Sequence, residues 1–242
     1  MPRLSVPRLS VRSLATRSLT CLVGCLGLAW GISNVARGET FDAFLGLETR
    51  LLKFETVSRT NAITTLNSAA ARDLNACDNH AQHALMLLEI PLADAALRSG
   101  AAQEFDQRIN SLEARAKRTL GCAPRDSLVW LLLFALENEH GLLDEHAFNL
   151  LAMSYDTSPN EAWIAVRRIV VAIPVVRFAP DPIQQKILTE FQNLIRRGFF
   201  EMPARSYLNA SAPTRALLQS QVEELDPGRQ KAFSDILQKL RS

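Results

Sequence analysis

From residue 37 to its end, the chain consists of stretches rich in Ala, Leu, Gln, Glu and Arg, separated by isolated glycines and prolines. No stretch shows the strict apolar–polar alternation of a half-buried strand. These residue types favour helix, whereas period-two patterning is what a sheet with one wet face requires. The pattern predicts an all-α fold. Helices are expected at about 40–56, 60–76, 79–98, 101–119, 126–139, 144–156, 160–177, 182–197, 212–224 and 228–240. Gly100, Gly121, Pro124, Gly141, Pro159, Pro180, Gly198, Pro213 and Pro227 mark the breaks. Asp126, Asp144 and Asp181 stand where N-caps or first-turn acids belong. Pro174 falls inside an apolar stretch and should kink or end its helix. The run Leu128–Leu136 is apolar on every side and too short to span a bilayer, so it predicts a helix buried at the centre of the fold.

The N-terminus carries an address. Arg3, Arg8, Arg12 and Arg17 precede the first acid, Glu39, and an apolar run extends from Leu19 to Ala36. As a helix this run is close to the length that crosses a bilayer, and Trp30 sits near its end, where indole rings favour the interface. A cleaved secretory signal and an organellar transit peptide are the competing readings. Asn34 and Ala36 make a poor cleavage site, and the long apolar run argues against a simple transit peptide. Leu22-Val23-Gly24-Cys25 resembles a lipoprotein box, but little apolar sequence precedes it. Charge asymmetry favours an uncleaved anchor with the arginines inside. The expected organisation is a basic n-region at 1–18, an anchor or signal at 19–36, and an exported helical domain at 37–242. The expected location is an inner membrane with the domain in the periplasm, or the periplasm after signal cleavage.

The four leading arginines also decide how the charge is read. Without them, 23 of the 27 basic residues face 25 acidic ones. The exported part therefore carries no basic field for nucleic acid. Cys77 and Cys122 are its only cysteines. In an oxidising compartment they predict a disulfide, which closes a loop of about 45 residues and contributes roughly 2–4 kcal/mol. Two buried free thiols are the alternative.

A repeat is visible in the middle of the chain. Pro124-Arg-Asp-Ser-Leu-Val-Trp130 is echoed by Pro159-Asn-Glu-Ala-Trp163, with the prolines 35 and the tryptophans 33 residues apart. Trp130 and Leu133, followed by Ala147, Leu151, Ser154 and Pro159, resemble the residue pattern of the tetratricopeptide repeat. Phe134 and Arg167 stand where that family prefers glycine, and Trp163 follows Pro159 two residues early. The resemblance covers about 60 of the 242 residues. It implies a short solenoid of helical hairpins, with Trp130, Leu133, Ala147, Leu151, Ser154, Pro159 and Trp163 as repeat-core positions; an ordinary helical bundle is the alternative. More weakly, an exported Cys77 or Cys122 with the turns Pro124–Leu131 and Ser154–Trp163 resembles anchored helical proteins of bacterial exopolysaccharide and O-antigen assembly. That resemblance implies an accessory role in the envelope.

Catalytic signatures are missing from the sequence. Cys77, His80 and His83 have helical spacing for a metal, but a disulfide would consume Cys77. Glu137, Glu139, His140, Asp144, Glu145 and His146 crowd around Gly141 without metalloprotease spacing, and a solvated turn accounts for them. Glu223, Glu224 and Asp226 suit a solvated helix face. Arg167, Arg168, Arg196, Arg197, Arg205 and Arg215 suggest either a patch for an anionic partner or, with acids nearby, an ordinary mixed surface. The reading that follows has no catalytic residue, cofactor or metal. It is an anchored interaction module for a protein partner of the envelope assembly machinery, with an envelope enzyme acting on a glycan or lipid as the alternative.

Overall fold

The computed structural model describes residues 11–72 and 74–241; side chains at 11–18 and 32–43 lie outside the description. Within these limits the chain is all-helical, and no described residue is in a strand. The helices are α1 (Val11–Leu52), α2 (Arg59–Leu66), α3 (Ala69–Arg72), α4 (Asn79–Arg98), α5 (Ala102–Cys122), α6 (Ser127–Glu139), α7 (Glu145–Thr157), α8 (Ala162–Ala172), α9 (Asp181–Arg196), α10 (Glu201–Asn209), α11 (Ala212–Glu223) and α12 (Pro227–Arg241). A 3₁₀ turn, Ile173–Phe178, joins α8 to α9.

Local chemistry accounts for most boundaries. Asp126 and Asp144 cap α6 and α7, accepting hydrogen bonds from Leu128 N, Val129 N and Ala147 N. Gly141 and Gly198 take the left-handed backbone that ends α6 and α9, where a side chain would be strained. Pro174 stops α8 and leaves the chain in the tighter 3₁₀ form, as its missing N–H requires. Two expectations fail. The helix expected at 60–76 is two short helices with a turn between them. The segment around Pro203 is a helix, α10, that the sequence reading omitted. Pro203 lies in its first turn, where the N–H has no intrahelical acceptor to lose.

Helices consecutive in the chain pack as α4 on α5, α6 on α7 and α8 on α9. Between these pairs α5 meets α6, α6 meets α8, and α7 meets α9; α10 then packs on α8 and α11 on α9. One apolar core runs through all of them. Its centre is α6, where Leu128, Val129, Leu131, Leu132, Leu133, Phe134 and Leu136 are all buried. At the far end Phe233 of α12 meets Phe191 and Tyr207 edge-on, each at 5.9 Å between ring centroids.

The C-terminal end of α1 belongs to this core. Phe44 fills a small cluster with Ala71, Ala81, Ala84 and Leu85, and Leu51 joins the main core. The helix ends on Phe54, which adopts φ 61°, with Glu55 N donating back to Arg50 O. This is a left-handed cap usually taken by glycine. Arg167 holds it: its guanidinium stacks 4.4 Å from the Phe54 ring centroid and donates to the Leu51 carbonyl. Farther back, Leu19, Leu22, Val23, Leu26, Leu28 and Trp30 are exposed. Among the described residues no helix is long and apolar enough to cross a membrane. The span expected at 19–36 lies partly outside the described side chains, and the n-region at 1–10 lies outside the described residues.

Candidate functional site

Cys77 and Cys122 form the expected disulfide, with their Cα atoms 5.2 Å apart. It ties the loop before α4 to the end of α5, at the surface. Cys21 and Cys25 are free.

The disulfide lies beside a charged cluster that the sequence did not reveal. His83 of α4 sits between two carboxylates: Nδ1 is 2.6 Å from Glu48 Oε1 of α1, and Nε2 is 2.6 Å from Asp126 Oδ2 at the start of α6. Carboxylates accept on both sides, so both ring nitrogens donate and the ring is an imidazolium. Burial alone would lower its pKa, but the hydrogen bonds and charges of Asp126 and Glu48 outweigh it and raise the value to about 9. His80 binds the second Glu48 oxygen at 2.5 Å. Cys77, His80 and His83 therefore do not act as one ligand set: the cysteine is in the disulfide and both histidines hold Glu48. Among the described residues no cluster of three or more His, Cys, Asp or Glu is placed for a metal.

The second cluster is more deeply buried. Arg168 of α8 has no exposed surface and donates to Glu190 of α9, with Nη2–Oε1 at 2.6 Å. It also donates to the carbonyls of Ser154 and Ser158 where α7 ends. Its guanidinium lies 4.5 Å from the centroid of the Tyr155 ring, and the Tyr155 hydroxyl donates to Glu190. Burial raises the Glu190 carboxyl above its usual pKa against the pull of Arg168, and raises the Tyr155 hydroxyl well above its own. The arginines suggested as a surface patch thus divide. Arg168 is a core residue, Arg167 is half-buried against α1, and Arg197 is exposed beside a groove. The available signal was an arginine pair interrupting an apolar stretch, which marks either a wet face or a buried ion pair.

That groove lies over the Arg168 cluster, between the end of α7, the start of α8 and one side of α9, and has a volume of about 570 Å³. Tyr155, Asp156, Pro159, Asn160, Ala162 and Ala165 line one wall. Gln185, Lys186, Thr189, Glu190 and Asn193 of α9, with Arg197 just beyond its end, line the other. Lys186 Nζ reaches Asp156 Oδ1 at 2.6 Å, and Arg197 Nη1 donates to the Asn160 carbonyl at 3.3 Å.

The repeat-core positions fall into three groups. Leu133, Ala147, Leu151 and Ser154 are buried, with Ser154 Oγ donating to the Ser127 carbonyl at 2.8 Å. Trp130 and Trp163, expected to be buried, are half-buried on the edge of the core. Their indole N–H groups explain the position: Trp130 donates to the Pro124 carbonyl and Trp163 to Glu161, both near solvent. Pro159 is exposed on the wall of the groove. The polar residues around Gly141 form the α6–α7 turn, where Asp144 acts as a cap. No protein-family model, curated protein or solved structure matches this chain.

Proposed function

We propose that this protein is a non-catalytic interaction module of the cell envelope. It is held to the inner membrane through residues 19–36 and presents a short stack of helical hairpins to a protein partner. The groove between α7, α8 and α9 carries this reading. It is open and mixed in polarity, and its α9 wall presents amide and hydroxyl groups with no hydrogen-bond partner among the described residues. The buried carboxylate in its lining is already in use, with Glu190 on Arg168, and elsewhere Glu48 and Asp126 are held on His83. Such pairing suits a scaffold better than proton transfer, which needs a carboxyl free to exchange its proton.

Export is supported by the surface disulfide, which persists in an oxidising compartment. The anchor is supported by the four leading arginines and by the exposed apolar side chains from Leu19 to Trp30. The hairpin order α4–α5, α6–α7, α8–α9 supports a solenoid of the kind the Trp130 and Trp163 repeat implies. Resemblance of the Pro124–Leu131 and Ser154–Trp163 turns supports a place among accessory factors of surface polysaccharide assembly.

Two measurements test the proposal. An alkaline phosphatase fused after Ser242 is expected to be active, with a cytoplasmic reporter there inactive. A photo-crosslinker at Gln185, on the groove wall, is expected to give a discrete protein adduct in producing cells, whereas one at Lys231 gives none. Inactive phosphatase overturns export, and absence of a Gln185 adduct overturns the interaction surface.

A further inference from the structure

The groove has fastened ends and a free middle. Lys186–Asp156 ties the first half of α9 to the end of α7, and Arg197–Asn160 ties the residue that caps α9 to the α7–α8 turn. Between Lys186 and Arg197 the helix advances about 16 Å. An extended chain rises about 3.3 Å per residue, so this length holds about five residues. Along it, Thr189 and Asn193 share one face of α9 at helical spacing, and neither side chain has a hydrogen-bond partner among the described residues. The opposite wall contributes small side chains, Ala162 and Ala165, which let a backbone approach closely.

Charge narrows the occupant. The floor is neutral as a unit, because Glu190 is paired with the buried Arg168. A charged side chain seated over the middle would have no partner there. At the α9 C-terminal end, Arg197 is exposed, spends one N–H on a neutral carbonyl and meets no carboxylate among the described residues. A guanidinium with open donors matches a carboxylate in a two-point contact.

Resting on the interaction-module reading above, we propose that the groove binds an extended peptide of about five residues, uncharged in its middle and ending in a carboxylate held by Arg197. Peptide N–H and C=O groups match the donor and acceptor of the Asn193 amide, a pairing side-chain amides make in both directions. A sugar ring would instead want an open aromatic face. Tyr155, the lining aromatic, is buried and already covered by Arg168.

The test uses the full chain in detergent micelles and a bead-bound library of random octapeptides in two forms, with free and with amidated C-termini. Selected peptides are expected to share a carboxylate after several uncharged residues. Selection only from the free-terminus library assigns the carboxylate to a chain end; selection from both assigns it to Asp or Glu. Measured by fluorescence anisotropy, Arg197→Glu and Asn193→Leu should each weaken a selected peptide by about tenfold or more. Arg205→Glu, on α10 and paired with Glu201, should leave binding unchanged. Circular dichroism keeps the variants interpretable, since both substitutions lie on the groove wall and should retain full helicity. Enrichment of basic peptides, or binding indifferent to both groove variants, overturns the inference. Selection of no peptide also overturns it. If the Gln185 cross-link persists in that case, the partner docks as a folded surface, and the interaction reading stands without this one.

Discussion

Arg168 and Glu190 form an ion pair with Nη2–Oε1 at 2.6 Å, and the arginine side chain has no exposed surface. The pair joins α8 to α9, and the same guanidinium closes the end of α7 through Ser154 and Ser158. Three helices therefore depend on one buried cation. Replacing either partner alone strands the other charge in the core. Arg168→Ala or Glu190→Leu should each cost about 3–5 kcal/mol, read from urea unfolding followed by circular dichroism. A loss under about 1 kcal/mol would mean that water reaches the pair.

His83 makes stability depend on pH in a defined window. Its pKa rises from 6.5 to about 9 on folding. A raised pKa means that the folded state holds the proton more tightly. The contribution is complete below pH 6.5 and declines as pH rises through 9, with a total of about 3 kcal/mol. The difference in unfolding free energy between the wild type and His83→Gln should shrink over this interval. A difference that stays constant from pH 6 to 9.5 would show that the ring is not an imidazolium clamp.

The disulfide predicts a thiol count. The full chain denatured without reductant should titrate two thiols, Cys21 and Cys25, and after reduction all four cysteines. Cys77→Ser with Cys122→Ser should lower stability by about 2–4 kcal/mol. Four thiols before reduction would remove the bond and weaken the case for export.

Burial orders two aromatic truncations. Phe134 is fully buried in α6, and Phe134→Ala should cost about 3–5 kcal/mol. Trp130 is larger but half-buried, so Trp130→Ala should cost less, about 2 kcal/mol. Denaturant midpoints in the reverse order would place the indole, and with it the repeat, in the core.

The end of α1 should be indispensable to the domain. A chain beginning at residue 37 retains Phe44, Glu48 and Leu51 and should fold cooperatively. One beginning at residue 53 exposes the Ala81, Ala84 and Leu85 surface and leaves His83 without Glu48. It should unfold at a markedly lower temperature, as differential scanning calorimetry would report. Equal melting temperatures would show that α1 contributes nothing to the core.

The sequence by itself determined the helices, most of their limits, the central place of α6 and the disulfide. Each is written locally, in residue propensity, in a proline or glycine, in an apolar run, or in there being only two cysteines beyond residue 36. One helix, α10, was not expected from the sequence, and Pro203 in its first turn leaves it intact. What only the tertiary structure decided is where long-range partners meet. Glu48, His83 and Asp126 are 35 and 43 residues from one another in order, and Arg168 and Glu190 are 22 apart. No periodicity records such distances. A buried charge and a solvated one look alike in sequence, because the difference is the presence of a partner brought by another helix. The groove follows the same rule. Its walls come from three helices, and their shared surface exists only once the Arg168 cluster has fixed how those helices meet.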